Sequence, residues 1–396
     1  MPNSPHILFI SSWYPTRSNP THGIFNRYFA EAAALYNRVS VIHVSSEENL
    51  KEEFDIRESE FQGVSIIHVY YRKIQENWPL LSKLLKRQRY LQAFDMAYQL
   101  LLKKGTPPSI IHLNVVLPAG LGALHLAKKH GLPLVVNENW SGYCEADGNY
   151  KSLTQKLITS KILGAAKVIM PTSHFLKEAM MKHGLKGDYR VVPNVVNVHR
   201  FTPSQCPSDN TIQLLHISSL TDREKNVSGL LRAFAKAVKQ LPSLRLTVVG
   251  DGPERADHEQ LMQQLELANT VHFSGRLVDE ALTAALRNCD ALVMFSHFET
   301  FCLVIVEAFA TGKPVITSAA GAIPSYMQPQ LGILVPPGDE QALEQAMIGF
   351  ADTRANFNSD DIRRFAVEHF SYEQVGSQLS NIYAEVLHLP PYTTKT

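Results

Sequence analysis

Short apolar runs that end in polar loops recur along this chain. Between them lie stretches whose apolar residues return every three or four positions. In the first half the runs at 6–11, 39–45, 64–70, 109–113, 132–137, 167–171 and 189–192 predict strands. Helical spacing at 26–36, 119–130, 153–164 and 173–183 predicts the helices between them. A stretch rich in Pro, Asn and Ser, 193–211, breaks the pattern and reads as a linker. The alternation then restarts with strand 212–217, helix 227–240, strand 245–249, helix 254–267, strand 270–274 and helix 280–287. Helices near 340–350, 359–369 and 372–387 close the chain. Repeated strand–helix alternation predicts a parallel, doubly wound α/β sheet, and two series of it predict two such sheets.

One unit of the second series carries candidate chemistry. Residues 290–296 (DALVMFS) read as a buried strand, 303–310 are apolar except for Glu307, and Gly312-Lys313-Pro314 stops that helix before strand 315–317. In such units ligands sit beyond the carboxyl ends of the strands. Glu299, in the connecting loop, would lie beside backbone N–H groups that attract anions. Glu307 would lie one to two turns into a buried helix, where a carboxyl must find donors or have its pKa raised. A ribose diol supplies such donors, and so does a neighbouring backbone; the residues leave both open. Lys225, in Arg223-Glu224-Lys225-Asn226 ahead of helix 227–240, places a cation where a helix dipole already draws anions. The alternative for it is a solvated charged turn.

The stretch from Glu299 through Phe301, Cys302 and Leu303 to Glu307 resembles the paired-glutamate motif of retaining glycosyltransferases of family 4. Other segments resemble that family in the same order, over nearly all of the chain. The resemblance implies a GT-B fold: two Rossmann-like doubly wound domains facing across a cleft. These would be 1–195 on the acceptor side and 196–371 for the nucleotide-sugar, with 372–396 crossing back to the first domain. It implies that Glu307 holds the nucleotide ribose and that Glu299 faces the transferred sugar and diphosphate. Lys225 would stabilise the departing diphosphate, which makes Glu299 and Lys225 the catalytic pair. Phe301, Cys302 and Leu303 would bring backbone to the donor, Cys302 standing where the family usually has glycine. Ser219 stands where it usually has arginine, and Arg223 is the nearest substitute. Arg276, in Gly275-Arg276-Leu277, falls in the loop that meets the base, and Gly23 matches a first-domain glycine near the donor phosphates. The turn Ala320-Gly321-Ala322-Ile323-Pro324 also resembles one in the family, although Gly321 and Ala322 are ordinary turn residues by themselves.

Asn139, Trp140 and Tyr143 would face the transferred sugar or the acceptor. Many relatives carry histidine at the Asn139 position; an amide hydrogen-bonds hydroxyls but does not titrate near neutral pH. Retaining transfer in this family needs no protein base, because a donor phosphate oxygen takes the acceptor proton.

Composition removes several other classes. A chain of 396 residues with 45% hydrophobic content suits two globular domains. The net charge of +1 argues against a general nucleic-acid binder. No G-x-G-x-x-G follows the first strand, which argues against an NAD-dependent dehydrogenase. D-x-D, H-x-H and H-x-x-x-H groups are missing from the sequence, so no metal or other cofactor is expected. The four cysteines, Cys144, Cys206, Cys289 and Cys302, show no C-x-x-C or zinc spacing and suit a reducing cytosol. The start lacks a basic leader region, and Asn114, Pro118, Gly120 and Gly122 interrupt the uncharged stretch 108–127, so neither a signal peptide nor a membrane span is expected. Residues 77–94 combine Trp78 and several leucines with Lys83, Lys86, Arg87 and Arg89. They are either a surface helix burying its leucine stripe or a basic amphipathic patch on an anionic bilayer.

The sequence therefore reads as a metal-independent hexosyltransferase of retaining type, with UDP the expected donor nucleotide on family frequency. A glycan or lipid-linked acceptor in cell-surface polysaccharide or glycolipid assembly is expected. The place would be the cytoplasm or the inner face of the membrane. Two rivals stay open: a sugar-nucleotide epimerase of the same fold, and an inactive sugar-nucleotide-binding protein, suggested by Ser219, Asn139 and Cys302.

Overall fold

The computed structural model describes residues 4–73, 79–105, 107–204 and 211–392. They form two compact units. One comprises the chain up to Val195 together with the chain from Tyr372 onward; the other is Val196–Ser371.

The first unit runs β1 (His6–Ser11), α1 (Ile24–Ala34), β2 (Arg38–Glu47), β3 (Phe54–Phe61), β4 (Val64–Arg72), α2 (Pro79–Lys103), β5 (Ile110–Asn114), α3 (Gly120–His130), β6 (Leu134–Glu138), α4 (Leu153–Leu163), β7 (Val168–Pro171) and α5 (His174–Lys182). Its seven strands are ordered β3-β4-β2-β1-β5-β6-β7. Every residue of β1 is buried, as a central parallel strand covered on both faces requires. The strand order reverses beside β1, between β2 and β5, and that switch point opens a crevice at the carboxyl edge.

The strands depart from expectation in two places. β3 is absent from the sequence reading and pairs antiparallel with β4 over its whole length. Its sequence FDIRESEF is mostly exposed, so no buried alternation announced it. Residues 189–192 form no strand; Tyr189 makes only a single bridge to Ile169.

The second unit runs β8 (Ile212–Ser218), α6 (Asp222–Lys225), α7 (Val227–Gln240), β9 (Leu244–Gly250), α8 (Arg255–Gln264), β10 (Val271–Gly275), α9 (Asp279–Asn288), β11 (Ala291–Met294), α10 (Leu303–Ala310), β12 (Val315–Ser318), β13 (Gly332–Val335), α11 (Glu340–Thr353) and α12 (Ser359–Phe370). Its sheet is entirely parallel, ordered β10-β9-β8-β11-β12-β13, with the switch point between β8 and β11. α7 shows how sequence makes these helices. Val227, Leu230, Leu231, Phe234 and Ala237 return on one buried face, and the Asn226 side chain caps the start by accepting from Gly229 N–H at 3.2 Å. β13 is a further strand the sequence reading missed.

The last helix, α13 (Tyr372–Val386), belongs to the first unit and packs on α1. Tyr372 OH donates to Glu31 at 2.5 Å, Asn37 Nδ2 donates to Ser380 Oγ at 2.7 Å, and the buried Tyr383 hydroxyl lies 2.6 Å from His112 Nδ1. The fold class is thus two doubly wound Rossmann-like units with the closing helix returned to the first. No helix among the described residues is long and apolar enough to cross a membrane.

Candidate functional site

In the second unit the loops that leave β8 and β11 lie side by side at the switch point, and they carry Lys225 and Glu299. Lys225 Nζ donates to Glu299 Oε1 at 2.6 Å, and Ser296 Oγ donates to the same oxygen at 2.8 Å. Ser318 Oγ in turn donates to the Ser296 carbonyl at 2.5 Å, tying the end of β12 to the loop. Burial pulls the Lys225 pKa down, but the Glu299 carboxylate more than restores it, so the ammonium stays charged. His297 N–H donates to the Glu224 carbonyl at 2.8 Å, which locks α6 against this loop. Gly321 approaches from the next turn. A Cβ there would meet the Glu299 carbonyl at 2.0 Å, φ is +54°, and Ala322 N–H donates to that carbonyl at 3.0 Å. An ordinary turn residue in the sequence is thus a close backbone approach in the structure.

Phe301 and Cys302 set the start of α10. The Phe301 ring is buried against Tyr326 and Phe370, and its carbonyl accepts from Tyr326 OH. Cys302 has φ +72°, a left-handed conformation that costs any residue with a Cβ and suits glycine. Its thiol is buried beside Glu299 and held well above the usual thiol range by burial first and that carboxylate second, so it stays protonated. Leu303 opens the helix, half-buried against the core.

Glu307 lies on the next turn at 4% exposure, with no side-chain hydrogen bond among the described residues. Burial pushes its pKa up to about 8, against a weaker pull downward from Arg200. The other residues expected on the donor side are more peripheral. Arg223, Arg276 and Ser219 are all exposed, the Ser219 hydroxyl lying 3.2 Å from Thr221 Oγ1.

Two functional supports escaped the sequence reading. His216, fully buried in β8, has Nδ1 at 2.9 Å from the Val293 carbonyl, which can only accept, so Nδ1 carries the proton. Nε2 therefore accepts from Ser218 Oγ at 2.8 Å, and that oxygen accepts from Leu220 N–H at 3.2 Å. This relay fixes the loop leading to Lys225. Burial lowers the His216 pKa to about 4, so the ring is neutral. A histidine inside an apolar strand was its signal.

In the first unit Gly23 caps α1 at φ +63°, and a Cβ would sit 2.4 Å from the Trp13 carbonyl group. Glu138 is the second residue the sequence reading passed over, although it precedes Asn139 directly. Wholly buried at the end of β6, it accepts from Val116 N–H at 3.0 Å, from Asn139 and Trp140 N–H at 2.9 Å each, and from Tyr143 OH at 3.2 Å. Asn139 Nδ2 donates to Asn137 Oδ1 at 2.8 Å. Tyr143 is 2% exposed in the core, so its ring supports the loop and is not available to stack on a sugar. Trp140 is half-buried, edge-on to Tyr143 and Tyr150. Among the described residues no group of three or more His, Cys, Asp or Glu could hold a metal ion.

Two family models match the chain back to back: Glycosyltransferase Family 4 over residues 31–200 and Glycosyl transferases group 1 over residues 203–359. The chain belongs to the GT-B glycosyltransferases of the family 4 type. Among curated proteins it is 29% identical over 259 residues to the MMP alpha-(1->4)-mannosyltransferase of Mycolicibacterium hassiacum, covering 64% of this chain and 59% of that one. It is 34% identical over 177 residues to the N-acetyl-alpha-D-glucosaminyl L-malate synthase of Bacillus anthracis, covering 44% and 45%. The chain thus spans only about half the length of these relatives. Among solved structures, the sucrose-phosphate synthase of Thermosynechococcus elongatus aligns with a TM-score of 0.75 at 22% identity, covering 97% and 99% of the two chains. Anabaena HepE in complex with UDP and glucose aligns with a TM-score of 0.72 at 18% identity, covering 96% and 100%. At that identity these structures bear on the fold.

Proposed function

We propose that the protein is a retaining glycosyltransferase that moves a hexose-type sugar from a nucleoside diphosphate, UDP foremost, to an acceptor hydroxyl. Polysaccharide or glycolipid assembly is the setting, in the cytoplasm or at the inner face of the membrane. The observation that carries the reading is the Lys225–Glu299 pair at the head of α10, with the donor-poor Glu307 one turn beyond. A leaving diphosphate gathers negative charge as the glycosidic bond breaks. Lys225 and the N-terminal N–H groups of α10 meet that charge more strongly in the transition state than in the ground state. Glu299, held by Ser296 and Lys225, orients the sugar, and Glu307 takes the ribose diol. Arg223 substitutes for the arginine missing at Ser219, Arg276 lies by the base, and Asn139 and Trp140 serve the sugar side. The acceptor proton goes to a donor phosphate oxygen, and no metal or cofactor enters. HepE, solved with UDP and glucose, supports UDP as the first donor to try.

A contact of 77–94 with an anionic membrane surface belongs to the same proposal. Asn77 and Trp78 lie outside the described residues, as do the side chains of 79–84, while Lys86 and Arg87 are exposed on α2.

The test is turnover of UDP-glucose, UDP-N-acetylglucosamine and GDP-mannose in EDTA, with an acceptor panel and NMR of the anomeric product. Diphosphate release that depends on acceptor, with the donor's anomeric configuration kept, is the expected result. In the same assay Lys225→Ala lowers kcat by about 10²-fold, as loss of a preorganised charge contact does. Release without acceptor to an epimerised sugar would replace the reading with the epimerase. Binding without turnover would replace it with the inactive protein.

A further inference from the structure

At the carboxyl ends of β1, β2 and β4 the first unit holds a cavity of about 630 Å³. Ser12, Ser45, Ser46, Tyr70 and Tyr71 line it, together with His43. Hydroxyl groups gathered in one cavity suit a polyol; the Glu47 carboxylate that also lines it is paired with Arg17, whose guanidinium covers the Tyr70 ring. His43 adds an acceptor to the lining. Its Nδ1 lies 2.9 Å from the Ser11 carbonyl and so carries the proton, leaving Nε2 with a lone pair. Burial keeps the ring neutral, with a pKa near 4.

The charges nearby divide into two kinds. Arg17 is paired with Glu47 and Asp55, Lys73 with Glu48, and Arg89 with Glu53. Lys86 and Arg87 line the cavity, are exposed, and have no ion-pair partner among the described residues. Arg89, on the same helix, is turned to Glu53 and the Arg72 carbonyl. What is left is a pair of unmatched cations at a hydroxyl-lined cavity.

We infer that this cavity receives the acceptor, and that the acceptor is a polyol bearing an anionic group, phosphate or carboxylate, held by Lys86 and Arg87. The inference rests on the glycosyltransferase reading and names the substrate class of its acceptor side. The anion can belong to a free sugar or to a lipid headgroup, and the recognition chemistry is the same.

The test titrates the full chain with glucose, glucose 6-phosphate and glucuronate at low and moderate salt. Phosphatidylglycerol and phosphatidylcholine vesicles form a second arm, and UDP is the control in both. At least one anionic sugar should bind about tenfold more tightly than glucose, as one charge-assisted contact gives, and salt should weaken it. In the double variant Lys86→Ala, Arg87→Ala that preference should disappear while UDP affinity stays unchanged. Binding confined to phosphatidylglycerol vesicles, and lost in the double variant, also supports the inference and assigns the anion to a headgroup. Equal affinity for charged and uncharged probes in both arms, or a preference that survives in the double variant, overturns it. Failure of wild-type protein to bind any nucleotide would instead sink the glycosyltransferase reading, so the two failures are told apart.

Discussion

Two buried carboxylates, one in each unit, show opposite uses of the same side chain. Glu138 at the end of β6 accepts four hydrogen bonds, three of them from backbone N–H groups of two different loops. Glu307 in α10 is almost as buried and has only the distant pull of Arg200. Burial raises both pKa values; at Glu138 the four donors work against it, while at Glu307 little does. A carboxylate surrounded by donors is a structural fastener. One without them is an unfilled demand that a ligand with hydroxyl donors can meet. The difference separates a residue that builds a loop from one proposed to take the ribose.

The most direct way to break the comparison is at Glu138. Glu138→Ala strands the N–H groups of Val116, Asn139 and Trp140 and should cost at least about 3 kcal/mol of stability in urea melts. UDP affinity of the remaining folded protein should not change. A loss below about 1 kcal/mol would mean that water serves those donors equally well.

At Glu307 the expected signs reverse. Glu307→Ala should weaken UDP binding by about 1.5–3 kcal/mol while leaving stability near the native value, read by calorimetry and urea melts together. The raised pKa also fixes the pH dependence. Between pH 4.5 and about 8 the folded chain binds a proton at Glu307 that the unfolded chain releases, so this group's contribution to stability declines as pH rises across that window. Ribose donors favour the ionised form, so UDP affinity should rise from pH 6.5 to 8.5. Glu307→Gln should flatten both slopes, and a wild-type UDP affinity independent of pH would place the ribose elsewhere.

The smallest effect belongs to the residue that opens the helix carrying Glu307. Cys302→Gly relieves a left-handed backbone and should raise stability by about 1 kcal/mol or less, because glycine also frees the unfolded chain. A destabilised glycine variant would show that the buried Cys302 side chain packs better than its backbone strain costs.

Much of this was legible in the sequence. Apolar runs located the parallel strands because those strands are buried on both faces, and the Glu299 to Glu307 spacing marked the loop and helix that carry them. What stayed hidden depends on partners distant in sequence. β3 has no buried face of its own and exists through its ladder to β4. The contact between Lys225 and Glu299 spans 74 positions and follows from the adjacency of β8 and β11, which no local pattern encodes. Glu138 and His216 are ordinary polar letters until the groups around them are known. Tyr143 looked like a sugar platform because a loop aromatic has the same signature whether it faces a ligand or its own core.

The return of α13 to the first unit has a consequence for how the chain is made. The second unit is complete once Ser371 has been added, but the first unit still lacks the helix that covers α1. Until that helix emerges, Glu31, Asn37 and His112 are without the partners that Tyr372, Ser380 and Tyr383 bring. The half that is synthesised first is therefore the half that finishes folding last, reversing the usual order for domains emerging from the ribosome.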